Sequence, residues 1–564
     1  MKKQWKLKDK KSDDILEQLL LNRGIETQEQ KQAFLNPDWG DVYDPLLFKQ
    51  MQNAVNRVFL ALESGQKIVI HGDYDADGVS GTALLWSVLN DVSPGAKLEV
   101  FLPDRERDGY GVAMHNIDKF HQDGINLIIT VDCGIANATE LNHAHDLGID
   151  SIICDHHQMA TDLPEHSIII HPLAPGEDYP NKKLCGTGVA FKHASAMINE
   201  ARKRGANLPD GYEKWYLDLV AIATVTDVMP VIGENRILEK FGLVVLNKTR
   251  RPGLRKIIES ARVEFGEIDT QAIGFRIGPR LNAAGRIGSA ETAFRALIAR
   301  DAEEGAKSAL ELEMLNRDRQ KLTEVAYKEA REIVLGFESS RSINVVWNEA
   351  WAPGIVGLVA GKLVSEFGSP AFALTKIGSQ FVGSGRSIGG FHLVEAMRSC
   401  GDIFLKAGGH PEACGLSLLS IEHVHTFKTE VGKFADAFFG ESESGPVIEI
   451  DAELSLDKVD WNLFNDIEKL KPFGKGNPKP NFVARGLKVV SAKAVGKTGG
   501  HLKLNVSPPD GHTWGLIGFG FGDWAKELSI GDLVDLVYEI DVNEWNGNRE
   551  LQGKIVDLKL SDNG

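Results

Sequence analysis

Residues 68 to 81 read IVIHGDYDADGVSG, and how this stretch is read decides the rest of the chain. Ile68, Val69 and Ile70 form a short apolar run suited to a buried strand, and the glycines with the following ALLWSVL make a turn into a helix. An extended Lys67 to Ile70 delivers His71, Asp73, Asp75 and Asp77 just past its carboxyl end, where open parallel sheets place their ligands. Carboxylates packed this closely raise each other's pKa unless a cation neutralises them. Oxygen-rich donors with one imidazole favour Mg²⁺ or Mn²⁺ over a thiolate-bound metal. Asp and Gly are also ordinary turn residues, so this loop alone fits a turn equally well.

The neighbouring sequence breaks the tie. KLEVFLP, INLIITVDCG, IDSIICDHH and SIIIHP alternate with helix-like segments such as ANATELNHAHDLG, the pattern of βαβ units and a parallel sheet. Two more of these strands end in chemistry, LIITVDCG in Asp132 and SIICDHH in Asp155, His156 and His157. Asp227 follows the apolar helix LVAIATVTD and can reach the same cleft. Such a cluster can hold two divalent ions bridged by one carboxylate, the arrangement that clamps a phosphoryl displacement and acidifies bound water. Phosphoester hydrolysis is the natural reaction class, and no GxSxG elbow offers a triad instead.

The whole chain sets limits on this reading. At 564 residues it should form three or four domains, and an apolar content of 43% with 25% charged residues is that of an ordinary globular protein. Five scattered cysteines with no CxxC pair argue for a reducing compartment and against zinc. No run approaches a membrane span and the basic start has no apolar core behind it, so a cytoplasmic location is expected. A net charge of −16 counts against coating nucleic acid through the overall field, though a local basic groove remains compatible with it.

The expected domains are a helical preface over 1–60, an α/β parallel-sheet catalytic domain over 61–300, a connecting helix over 301–340, a smaller α/β domain over 341–440 and an OB-like β-barrel over 446–564, with ESESG as a linker. The loop GPRLNAAGR carries Arg280, Asn282 and Arg286, and planar guanidinium groups bind phosphate bidentately. In the last domain Phe473, Trp514, Phe519, Phe521, Trp524 and Trp545 lie among lysines, as in single-strand binders, although most such aromatics are core.

HGDYDADG, VDCG, CDHH and TVTD stand in the order and spacing of the four motifs of the DHH phosphoesterase family, named for a triplet matching Asp155-His156-His157. GPRLNAAGR, GSGRS and GGH resemble one bacterial branch of it, the single-strand-specific exonucleases. This resemblance implies that His71, Asp75, Asp77, Asp132, His156 and Asp227 form a site for two Mn²⁺ or Mg²⁺ ions, with Asp132 bridging and His157 facing the scissile phosphate. Asp73 is placed with His157 and Asp132 in the catalytic group, its role open between direct participation and support of its neighbours. The resemblance brings Arg280, Asn282, Arg286, Ser384, Arg386 and His410 to the DNA, with Arg107 and Tyr110 at the terminal end of the channel. It further implies a monomer that degrades single-stranded DNA from the 5′ end to mononucleotides in recombination and repair, with single-strand-binding protein and a helicase as partners. The alternatives are a DHH phosphoesterase of small substrates such as cyclic dinucleotides, short oligonucleotides or pyrophosphate, and a catalytically silent strand-binding scaffold.

Overall fold

The computed structural model describes residues 3–336, 342–440, 447–508, 511–545 and 548–561; the expected linker ESESG and the side chain of Trp545 lie outside the described residues. The chain divides into two compact units, Asp38–Ser444, and Met1–Pro37 with Gly445–Gly564.

In the larger unit, β1 (Lys67–Gly72), β2 (Lys97–Phe101), β3 (Leu127–Val131), β4 (Asp150–Cys154) and β5 (Ile168–Ile170) form an all-parallel sheet in the order β2-β1-β3-β4-β5. The runs of Ile and Val that read as buried strands are covered on both faces. In this order the winding reverses between β1 and β3, which opens a crevice past their carboxyl ends. The first and second acidic motifs meet there, and Asp73 donates its backbone N–H to Val131 O at 3.2 Å.

Helix α1 (Ala76–Val92) starts immediately after the acidic turn, because Asp75 caps it by accepting from the N–H groups of Asp77 and Gly78. Helices α2 (Gly186–Lys203) and α3 (Leu217–Thr226) follow the sheet, and Asp227 terminates α3. GPRLNAAGR is not the loop that its glycines suggested. Gly278–Ile287 is helix α4, with Pro279 in its first turn and Leu281, Ala283 and Ala284 buried. Gly285 is a close-approach residue, since a Cβ there would fall 2.0 Å from Tyr74 O.

The connecting helix α5 spans Ala302–Gly336, as its charged, proline-free sequence predicted. A second sheet follows, comprising β6 (Asn344–Trp347), β7 (Ala371–Ile377), β8 (Gln380–Arg386), β9 (Phe404–Gly409) and β10 (Ala413–Leu418) in the order β9-β10-β8-β7-β6. Only β6 and β7 are parallel. GSGRS therefore lies on strand β8, and GGH ends β9.

The smaller unit holds a closed barrel in which the long strand Phe482–Val495 pairs with both His501–Ser507 and Leu533–Trp545. The helical preface expected over 1–60 is divided between the units. Gln4–Leu7 is a strand, paired in parallel with Val447–Ile450, and Leu19 and Leu20 enter the barrel-side core, whereas helix Met51–Glu63 packs in the larger unit. QWKL is too short to declare itself as a strand, and its partner lies near the far end of the sequence. Phe473, Trp514, Phe521 and Trp524 pack against the barrel core; Phe519 stands 57% exposed.

Candidate active site

Three groups of side chains bring ligand atoms within 4.8 Å of one another: Asp132 with His156 and His157, Asp77 with His156 and Asp227, and Asp73 with Asp75 and Asp132. Their origins explain the convergence. Asp73 and Asp75 leave β1, Asp77 sits in the first turn of α1, Asp132 follows β3, the histidines follow β4, and Asp227 ends α3. Asp132 adopts a left-handed backbone at φ 62°, rare for a residue with a side chain, and Gly186 leaves room beside it. Asp77 accepts from the backbone N–H groups of Gly186 and Thr187, both at 2.7 Å, at the start of α2.

Several donor atoms aim at one another without pairing. His156 Nε2 lies 3.0 Å from Asp132 Oδ1, 3.5 Å from Asp227 Oδ2 and 3.8 Å from Asp77 Oδ2. Neither His156 Nε2 nor Asp132 Oδ1, nor the buried Oδ1 of Asp73, makes a hydrogen bond to a described residue. Burial and then the Asp75 charge push the Asp73 carboxyl up to about 8 and that of Asp77 up to about 6. Asp132 is driven well above the carboxylate range by burial, then by Asp77 and Asp75. Carboxylates so placed cannot all be charged without a cation among them, and atoms converging without hydrogen bonds have the geometry of metal ligands. The donors, oxygens with a neutral imidazole, fit Mg²⁺ or Mn²⁺.

The DHH triplet splits into three roles. Asp155 is buried, accepts from the N–H groups of His156, His157 and Ile135, and is held below the usual carboxylate range by His157 against the cost of burial. Burial, then the neighbouring His157 charge, lowers His156 to about 3, leaving its ring neutral with a lone pair to give. Burial works against His157 too, but its 2.9 Å contact with Asp155 Oδ1 outweighs it and holds the ring up at about 9. One histidine thus presents an unprotonated nitrogen suited to a metal ion, and its neighbour a protonated ring suited to an anion.

The facing domain completes the cleft. The ring of His410 lies 6.2 Å from that of His157, and Tyr110 Oη is 3.1 Å from both His157 Nδ1 and Asp132 O. Arg286 is lowered to about 10 by burial and by the charges of Arg105 and Arg386, and its Nη1 donates to Gly354 O. Arg386 is lowered by burial, on the strand that carries Ser384.

The sequence matches three family models in turn: the DHH family N-terminal domain over residues 67–224, the DHHA1 domain over 340–437 and the RecJ OB domain over 450–557. The single-stranded-DNA-specific exonuclease RecJ of Escherichia coli is 32% identical, over 95% of this chain and 94% of its own. The chain belongs to the RecJ family. The RecJ of Bacillus subtilis is 36% identical over 97% of this chain and 68% of its own length. The crystal structure of Thermus thermophilus RecJ in complex with Mn²⁺ superposes with a TM-score of 0.83 at 28% identity, covering 99% of this chain and 80% of that one. A structure of the same protein with Mg²⁺ has a TM-score of 0.78.

Within this RecJ-family fold some expected residues stand elsewhere. His71 lies outside the three groups, with its ring against Phe101 and Phe120, but its buried Nε2 makes no hydrogen bond to a described residue and burial lowers it to about 4, which leaves a free lone pair as on His156. Arg107 points outward and pairs with Asp108, because the RDGY turn exposes it; Arg105 is the inward arginine, its guanidinium 3.9 Å over the Tyr74 ring and its Nε donating to Gly285 O. Arg280 is tied to Glu313 on α5 at 2.8 Å and to Arg276 O, and Asn282 Oδ1 accepts from Ala76 N, so both brace the acidic turn through α4. Arg105 was legible only as a neighbour of a stronger motif residue, and Asp155 only as part of the triplet, its orienting contact to His157 being visible in space alone.

Proposed function

We propose that this RecJ-family exonuclease removes mononucleotides from the 5′ end of single-stranded DNA, with two Mn²⁺ or Mg²⁺ ions as cofactors. The observation that carries the two-ion reading is that Asp77, His156 and Asp227 form one ligand group and Asp73, Asp75 and Asp132 another, with no residue in common. When bound, such ions offset phosphate charge and lower the pKa of a bound water.

The protein's own groups supply the rest. Asp132 belongs to two of the ligand groups and is the carboxylate suited to span neighbouring ions. His157, kept protonated by Asp155, donates a hydrogen bond to an oxygen of the scissile phosphate and stabilises the charge gathering there. Tyr110 orients that ring, and Asp73, whose carboxyl burial and Asp75 push up, would be one of the carboxylates holding a cation. Arg105, Arg286, Arg386 and Ser384 hold phosphates, while Arg280 and Asn282 fix α4 behind them.

Single strands are selected by a passage between the two α/β domains that is too narrow for a duplex. The OB domain binds single strands in its own right, with Phe519 as a base platform and Lys493, Lys497 and Lys503 following phosphates. Cytoplasmic repair, alongside single-strand-binding protein and a helicase, is the setting this activity fits; no described helix is long and apolar enough to cross a membrane. A length series of 5′-labelled and 3′-labelled single strands tests the reading. Labelled mononucleotide should appear first from the 5′ label and faster from long strands. Dinucleotides cut as well as long strands, or release from the 3′ label first, would overturn it.

A further inference from the structure

We propose that Arg319, on the connecting helix α5, binds a phosphodiester of the DNA strand beyond the one being cleaved, so that the helix joining the two α/β domains is itself part of the strand-binding surface. The proposal rests on the single-strand reading above and adds a residue and an element to it.

Three observations carry it. Arg319 Nε is buried and makes no hydrogen bond to any described residue, while one Nη2 donates to the buried Asn316 Oδ1 at 3.0 Å. The guanidinium is thereby held in one orientation with donors still unused. Its electrostatic surroundings are cationic: after burial, Arg280 lowers the pKa of Arg319, and Arg319 in turn is among the charges lowering that of Arg286. Among the described residues Arg319, Arg286, Arg105 and Arg386 form no ion pair, and Glu313, the acid within this group, is taken by Arg280 and Arg317.

Partly buried guanidinium groups that repel one another and lack counter-ions destabilise a fold unless an anion joins them. Separate single charges with planar donors, on α4, α5 and the second domain's sheet, match the spaced phosphates of a strand better than one compact anion. The place of Arg319 in the fold is consistent with this. Helix α4 packs on α5, and the end of α4 abuts the second domain, where a Cβ on Gly354 would fall 2.0 Å from Arg286 O. Arg286 feels the charge of Asp75 at the acidic turn as well as that of Arg319, so it stands within electrostatic reach of both the acidic turn and α5.

The test compares Arg319→Gln with wild type in the full chain with Mn²⁺, on a 20-mer and a dinucleotide. The 20-mer KM should rise on the order of tenfold with kcat little changed, the size of a lost charge-assisted hydrogen bond. Dinucleotide kcat/KM should stay within about twofold, since that substrate does not reach α5. The salt dependence of 20-mer binding, log K against log salt, should flatten by about 0.7, as one phosphate contact fewer requires. Arg319→Lys should restore the slope, and the melting temperature of Arg319→Gln should match or exceed wild type. Unchanged KM and salt slope, or equal losses on both substrates, would overturn the assignment. A wild-type protein inert on single strands would instead overturn the functional reading itself.

Discussion

Two buried clusters in the same domain use the same residue types to opposite ends. Around Glu234, every partner is in place: the carboxylate accepts from Tyr43 N, Tyr179 Oη and Asn181 Nδ2, and Lys192 Nζ lies 2.5 Å away. Around Asp132, carboxylates face carboxylates, and the nearest imidazole offers a lone pair where a proton would be needed. A buried charge must be paired or neutralised. Glu234 is paired by the fold, whereas the Asp132 cluster is left for a cation. Glu239, five residues along the same helix from Glu234, is a third outcome: a buried carboxyl with no hydrogen-bond partner among the described residues, which burial alone pushes well above the usual range.

The comparison can be broken at its strongest point first. Asp132→Ala should lower kcat on single strands by on the order of a thousandfold or more, several kcal/mol of lost charge stabilisation, while strand binding persists. Activity within tenfold of wild type, measured with a labelled 20-mer, would contradict the division. Lys192→Met should do the reverse, destabilising the chain by about 3–5 kcal/mol in urea unfolding because Glu234 loses its counter-ion, with unchanged activity per folded molecule. Metal addition sharpens the contrast: Mn²⁺ at about a hundred times its Kd should stabilise wild type by about 2.7 kcal/mol for each ion bound, read as a rise in melting temperature. Asp132→Ala should lose that rise and Lys192→Met keep it.

A smaller effect separates the two arginines of the RDGY turn. Arg105→Ala should raise KM for long strands on the order of tenfold, the value of a charge-assisted hydrogen bond, whereas Arg107→Ala should change it less than about twofold. The smallest effect concerns Glu239. Its folded pKa lies above its unfolded one, so the stability it contributes is present at low pH and is lost as pH rises towards the folded value. Glu239→Gln should melt at a temperature that gains on wild type between pH 5 and pH 8; a constant difference across that range would rule this out.

Much of this was legible in the sequence. The Ile and Val runs ending in Asp or His announced a parallel sheet with ligands at one edge, because strand burial and switch-point geometry are both written locally. The proline-free run from Ala302 announced α5. What escaped depends on contacts distant in sequence. QWKL became a strand only through residues 447–450, and the glycines of GPRLNAAGR marked a helix pressed on Tyr74, not a loop. Arg280 fitted the phosphate-binding pattern until Glu313, from another helix, claimed it. Arg319 was invisible, since an arginine on a charged helix gives no sign of having no counter-ion.

The most direct measurement of the central claim is a calorimetric titration of the metal-free protein with Mn²⁺. Two ions per chain are expected for wild type, with tight binding of both lost in Asp132→Ala. A wild-type stoichiometry of one or none, or an Asp132→Ala protein that still takes up two, would contradict the account.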